Sequence, residues 1–485
     1  DYRLFKQSQE EGTDYYSNSF QYLRNLAFFG MATYSYKGRY TINGTLRYEG
    51  SNMLGKSRQA RWLPTWNVSG SWNAHEENWW APTFGKAWTY ASLKASYSLT
   101  ADRGPASNSL AVFQSFTPWR PSTSANESAI ILAALENSEL TYEKKHELNI
   151  GVALGFVDNR INVEFDWYRR NNFDLIGYTQ TMGVGGVTTK LANDATMEST
   201  GCEFTISTTN IKTKDFKWTT DWIFGWAENT ITKLDSRSQV YSLVNGVGRT
   251  EGRPIGALYS IPFAGLTEEG LPTFFIDAEH TQVVGPGNYA DIYFQEYENI
   301  DYLKYEGTID PKITGSFGNT FSWKGLKLNV FFTYSFGNVL RLDNLCPVYS
   351  SDYSDLTASM KEMKNRWMVP GDENVTTIPS IPTVRQMREI DALSNAYSAY
   401  NYSTERVAKG DFIRLKELSL AYDLPKKYFE GQNAVSSFGV KLSATNLWLA
   451  YADKKLNGRD PEYYNTGGVS SPVPRQFTLT VKLGF

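Results

Sequence analysis

Glu164 and Asp166 stand two residues apart, so in a strand both carboxylates project from one face. Paired carboxylates about 5–9.5 Å apart flank the bond cleaved in glycoside hydrolysis, and this spacing permits that chemistry. The plainer reading is preferred: two charges alternate with Phe165 and Trp167, so one strand face is wet and the other apolar. No convergent acid/base set accompanies them. His75, His146 and His280 are scattered without metal-ligand spacing. Cys202 and Cys346 are too few for a thiolate metal site or a disulfide framework. Cys202 shares the apolar phase of a strand with Phe204 and Ile206, while Cys346 falls in a loop. Two unpaired thiols are preferred, although spacing alone leaves a bridge between them open. Gly467-Gly468 precedes a strand and lacks the Lys-Ser/Thr and helix start of a phosphate-binding loop. Neither an enzyme nor a cofactor is expected.

The elements that must position such residues are strands. Period-two alternation recurs along the chain. Tyr40, Ile42, Leu46 and Tyr48 alternate with Thr41, Asn43, Thr45 and Arg47. Leu148 through Phe156 and Ile161 through Trp167 repeat the pattern around the turn Val157-Asp158-Asn159. Leu326, Leu328, Val330, Phe332, Tyr334 and Phe336 follow Lys324-Gly325. Phe477, Leu479, Val481, Leu483 and Phe485 alternate with Thr478, Thr480, Lys482 and Gly484. These runs exceed the roughly 5–6 residues of soluble strands and suit the roughly 9–11 that cross a bilayer.

Composition agrees. The chain has 485 residues, 48 Lys+Arg, 51 Asp+Glu and a net charge of −3, so it lacks the basic field of a nucleic-acid binder. Its longest apolar run, Ala129 to Leu135, excludes membrane-spanning helices, which need roughly 20 residues. The 31 tyrosines, 27 phenylalanines and 14 tryptophans gather near strand ends, where barrels carry interfacial girdles. Trp79 and Trp80 are read as girdle residues. The expected fold class is all-β, a transmembrane antiparallel β-barrel.

Short connections (Lys37-Gly38-Arg39, Val157-Asp158-Asn159, Lys324-Gly325) alternate with long ones. External loops are expected at about 101–142, 175–195, 230–251, 341–411 and 449–475. The stretch 252–311 is expected to add one descending and one ascending segment. That makes about 15 strands, odd where single-chain bacterial barrels are even. With Asp1 not a methionine, the whole chain, 1–485, is expected to be the C-terminal portion of a barrel of about 22 strands, with the plug missing from the sequence.

Asn25 through Gly30 and Tyr40 through Ser51 resemble a conserved stretch of SusC/RagA-like TonB-dependent outer-membrane transporters of Bacteroidetes. Trp62-Leu63-Pro64-Thr65-Trp66, Pro254-Ile255-Gly256-Ala257-Leu258-Tyr259 and Asp310-Pro311-Lys312-Ile313-Thr314-Gly315 resemble further motifs of that family. So do Asn365-Arg366-Trp367, Phe412 through Glu417, Asp460-Pro461-Glu462 and Pro474-Arg475-Gln476-Phe477-Thr478. Leu191 through Glu203 and the region through Asp277-Ala278-Glu279-His280 depart from the pattern.

The resemblance implies active import of oligomeric nutrients across the bacterial outer membrane, glycan ahead of peptide. It implies a SusD-like surface lipoprotein as lid, energy from TonB acting through the missing N-terminal region, and a dimer of transporter–lid pairs. A non-transporting structural or adhesive barrel is the alternative. Trp119, Tyr349, Tyr353, Trp367 and Tyr451 fall in the expected external loops, where aromatic faces stack on sugar rings or peptide apolar groups. Loop packing or lid contact would use the same residues. Phe477, Leu479, Val481, Leu483 and Phe485 are read as the signal recognised by the barrel assembly machinery.

Overall fold

Alternation over long segments leaves each backbone one stable use, as a strand in a sheet with one apolar and one polar face. The computed structural model describes residues 3, 6–7, 22–85, 87–104, 109–116, 129–184, 186–345, 361–425, 428, 436–464, 472 and 474–484. Thirteen strands form one antiparallel sheet in sequence order. They are β1 (Asn25–Tyr36), β2 (Tyr40–Ser51), β3 (Trp62–Asn73), β4 (Trp88–Asp102) and β5 (Glu143–Phe156). Next come β6 (Ile161–Gln180), β7 (Thr189–Lys212), β8 (Phe216–Leu234) and β9 (Ile313–Trp323). The last are β10 (Leu326–Phe336), β11 (Phe412–Asp423), β12 (Ser437–Ala452) and β13 (Gln476–Gly484). Among the described residues β1 and β13 each pair on one side only, so the sheet has two open edges.

Register shows how the two faces separate. Ile150, Trp167, Cys202, Trp226, Ile313 and Phe336 form one row across β5 to β10. One residue further along, the row reads Gly151, Asp166, Glu203, Gly225, Thr314 and Ser335. A one-residue slip would exchange these rows, which is why the pairing is well specified. Tyrosines fill the room left by glycines: a Cβ on Gly201 would lie 2.4 Å from the Tyr168 hydroxyl, and one on Gly315 2.4 Å from that of Tyr334. Such aromatic–glycine pairs pin the register.

Among the described residues, the connections at one end, the turn end, are short or compact. Lys324-Gly325 has positive φ at both positions (45° and 91°), the requirement of a two-residue turn that follows strand twist. The largest connection there, 74–87, carries the helix Trp80–Phe84. Trp80 is buried in it against Phe84 and Trp88, and its indole N–H donates to the Trp88 carbonyl at 2.9 Å. Its expected girdle role is thereby corrected: a bulky ring with one donor is better satisfied inside this cluster than at a bilayer surface. Trp79 beside it stays exposed.

The opposite, loop end differs from expectation at several points. The stretch 252–311 supplies no sheet strand, because β8 pairs directly with β9, from Phe216↔Trp323 to Trp226↔Ile313. Its pieces Ala257–Ser260, Phe263–Leu266, Pro272–Phe275 and Lys304–Thr308 are too short to span. All four residues of Ala257–Ser260 are buried, so they pack in a core instead of alternating between lipid and water. The sheet therefore holds thirteen strands where about 15 were expected. The strands flanking 175–195 run to Gln180 and from Thr189, leaving only 181–188 between them. β8 continues to Leu234, and the connection that follows extends to 312. Tyr451 belongs to β12, opposite Ile413, and not to a loop.

Candidate functional site

The connection 235–312 and the described residues of 337–411 fold together on the loop end as one body with its own core. Phe274, Ile261 and Leu271 from the first pack with Leu393, Tyr397 and Tyr400 from the second. The helix Leu393–Asn401 supplies most of the second set, burying Leu393, Ala396, Tyr397, Ala399 and Tyr400. Its tyrosines are satisfied as well as buried: the Tyr397 hydroxyl donates to the Ser380 carbonyl at 2.7 Å. Tyr289 donates likewise to the Pro272 carbonyl at 2.7 Å. Burial pushes the Tyr302 phenol up to about 12, so it stays a neutral donor.

Four arginines bind the loops to one another and to the wall. Arg341 donates to the carbonyls of Ser403 (2.9 Å), Val244 (3.2 Å) and Tyr259, so it joins both connections. Burial pulls its pKa down to about 10, which still leaves it charged at neutral pH. Arg406 pairs with Glu362 at 2.7 Å and donates to the Asp343 carbonyl at 2.7 Å. Arg414 rises from the polar face of β11 and pairs with Asp460 and Glu462 of the connection 453–475, the latter at 3.3 Å. Arg459 pairs with Asp343, tying 453–475 back to the body. The planar guanidinium, with five donors, suits such multi-carbonyl bridging.

Below the body, where the loops meet the sheet, lies a cavity of about 650 Å³. Thr314, Thr333, Ser335, Asn338, Lys416 and Glu462 line it. A second, polar cavity of about 350 Å³ sits on the sheet toward the turn end, between Lys327, Glu417, Asp423, Lys441 and Lys482. Between them along β10 the same face carries Asn329, Phe331 and Thr333. Such a surface solvates and hydrogen-bonds a polar ligand. Glu164 and Asp166 lie on this polar face opposite Thr205 and Glu203.

Sequence-selected residues are spread widely. Trp367 is half-buried: its ring covers Gly270, where a Cβ would approach to 2.4 Å, and its indole donates to Glu373 at 3.1 Å. That arrangement uses the ring for loop packing. Tyr451 is 47% exposed on β12, in the phase shared with Ile413. Trp119, Tyr349 and Tyr353 lie outside the described residues, as do Cys346 and Phe485. Phe477, Leu479, Val481 and Leu483 project from one face of β13, each more than half exposed. Cys202 is a free thiol on β7. Sequence reasoning missed Arg341, Arg406 and Arg414, although a signal existed. Phe412–Glu417 and Asp460-Pro461-Glu462 each resemble a motif of the same family, and the ion pairs of Arg414 join them.

No family model matches the chain. It is 26% identical over 487 residues to TonB-dependent receptor P3 of Formosa agariphila, covering 94% of this chain and 45% of that protein. TonB-dependent receptor P26 of the same organism is 26% identical over 95% of this chain and 46% of its own length. TonB-dependent receptor SusC of Bacteroides thetaiotaomicron is 27% identical over 43% of this chain and 21% of its own length. The chain thus spans less than half the length of these relatives. Among solved structures, the RagAB peptide transporter superposes with a TM-score of 0.72 at 22% identity, over 96% of this chain and 47% of that one. The chain is thus similar to SusC/RagA-like transporters, and its sheet has the fold of an outer-membrane transmembrane antiparallel β-barrel.

Proposed function

We propose that the chain forms the C-terminal portion of the barrel of an active outer-membrane importer of oligomeric nutrients, glycan ahead of peptide. The observation that carries this reading is the single packed loop body above a polar wall. A structural or adhesive barrel has no need of one cavity with polar lining at the rim and a second, polar one lower on the wall. The loop end faces outward, so the body is a capture platform. A SusD-like lipoprotein covers it, and the energy for release comes through TonB. Further strands of the same barrel cover the open edges of β1 and β13, whose unpaired N–H and C=O groups otherwise invite aggregation. The apolar residues of β13, together with Phe485 that follows them in the sequence, serve as the assembly signal.

Deleting the gene and growing the strain on defined glycans and peptides tests the reading. Loss of growth on one oligomer class, restored by the gene, is the expected result; unchanged growth on every class refutes import. Sidedness is checked separately. Val375→Cys, on the exposed body, should react with an impermeant maleimide in whole cells, and Asp158→Cys, at the turn end, should not.

A further inference from the structure

A polar interruption breaks the apolar face of the sheet at the turn end of β7 to β9. Thr208, Thr220 and Asn319 stand in one row there. The rows on either side are apolar: Ile211, Trp218 and Phe321 toward the turns, Ile206, Trp222 and Phe317 away from them. A register shift between Trp218 and Thr219 makes Asn210 an extra residue of β7 and turns it to the same face. A hydrogen-bonded chain results. Thr208 Oγ1 donates to Asn210 Oδ1 (2.8 Å), Asn210 Nδ2 to Thr220 Oγ1 (2.7 Å), and Thr220 Oγ1 to Asn319 Oδ1 (2.7 Å). The Trp218 indole N–H also donates to Asn319 Oδ1, at 2.9 Å. Indole nitrogen can only donate, so the oxygen of Asn319 is the atom it meets, and the amide nitrogen is left on the other side. That nitrogen has no partner among the described residues and is not enclosed by the protein.

We propose that this cluster seats the glycerol ester region of an anionic phospholipid. Asn319 stands four residues in from Trp323, so at ~3.4 Å per residue and a strand tilt of ~40° it lies ~10 Å deeper than the strand end. An unmatched N–H at that depth is costly, and a lipid brings its ester carbonyls to it as acceptors. A cation stands where the phosphate of the same lipid falls. Lys324 leans over the Trp323 ring, 5.8 Å from its centroid, and that ring is 56% exposed in the phase of Asn319 and Phe321. Arg160 donates to the Asn210 carbonyl at 2.9 Å and brings a second cation beside the cluster. Residues 157–160, 212–217 and 324–327 hold six Lys/Arg against two Asp, which favours an anionic headgroup over a zwitterionic one. The acyl chains run on over Trp222 and Phe317. The turn at Lys37-Gly38 supplies the comparison. Lys37 has a similar positive φ (52° against 45°) and lies 5.2 Å from the centroid of the Tyr36 ring. Four residues in from Tyr36, however, the row is Ala32, Gly44 and Val68, without an amide side chain. A cation over a ring is common to both turns; the amide is what sets β7 to β9 apart.

The test is native mass spectrometry of the intact transporter, delipidated in detergent and titrated with dioleoyl-phosphatidylglycerol, dioleoyl-phosphatidylethanolamine or lipopolysaccharide. Phosphatidylglycerol should be retained best. Asn319→Asp keeps the acceptor for Trp218 and Thr220 but replaces the free N–H groups by an oxygen. Lys324→Asn removes the cation with a residue that tolerates positive φ. Each should weaken phosphatidylglycerol binding about fivefold or more, and Lys37→Asn should leave it unchanged. Heat-modifiable gel migration verifies that every variant keeps its barrel. Binding unchanged in either Asn319→Asp or Lys324→Asn overturns the site. An equal loss in Lys37→Asn overturns it in favour of a general basic rim. Equal retention of the two phospholipids overturns the anionic class, retention of lipopolysaccharide alone overturns the phospholipid, and retention of no lipid overturns the proposal outright.

Discussion

Removing the Phe274 ring should melt the loop body while the sheet beneath it stays folded. Phe274 is fully buried in Pro272–Phe275, paired with Phe263 on one side and Val284 on the other. Its ring centroid lies 6.1 Å from that of Phe263, which in turn meets Tyr400 at 5.7 Å. Phe274→Ala therefore removes the packing behind the Phe263 ring, which meets Tyr400 of the second connection. Truncations of this kind cost about 3–5 kcal/mol. At about 1.4 kcal/mol per tenfold, the opening equilibrium of the body rises roughly 10²- to 10⁴-fold. No residue of the thirteen sheet strands belongs to this buried core. Hydrogen exchange by mass spectrometry should thus show faster exchange in 240–303 and 361–403, with β5 to β8 unchanged. Uptake should fall in parallel. Equal loss of protection in the strands would refute a separate core, and no change anywhere would refute the packing argument.

Arg414→Met should destabilise the 453–475 connection by about 3–5 kcal/mol, because it leaves Asp460 buried and unpaired. Arg414→Met with Asp460→Leu should recover most of that loss, as read by the protease resistance of the connection. Gly270→Ala should lower the Tm: φ is 75° there, and the new Cβ would lie 2.4 Å from the Trp367 ring. Glu296 accepts backbone N–H bonds, first from Glu298 and then from Tyr297, which hold its carboxyl below the usual range. A depressed folded pKa stabilises above the unfolded value, about 4.3, and that support is lost as pH falls through the folded pKa. Exchange at 296–299 should accelerate upon acidification below about pH 4, and Glu296→Gln should abolish that pH dependence.

Alternation is a local property, so the membrane-crossing strands were legible in the residues themselves. Phe165 and Trp167 on one side of the backbone, with Glu164 and Asp166 on the other, already require a sheet between lipid and water. The tight turns were legible for the same reason, since Lys324-Gly325 needs only its own dihedrals. The loop body was not, because its contacts join residues far apart in the chain: Phe263 with Tyr400, Arg341 with Val244, Arg414 with Asp460. No periodicity marks such contacts, and segments as short as Ala257–Ser260 read equally well as ends of spanning strands. Trp367 and Tyr451 show the same division. Their type suggested stacking on a ligand, but tertiary placement put one ring over Gly270 and the other on a strand face. The sequence alone determined which face of each strand meets water, because that depends on neighbours two residues apart. Only the tertiary structure decided what stands above the wall, because that depends on burial shared between distant loops.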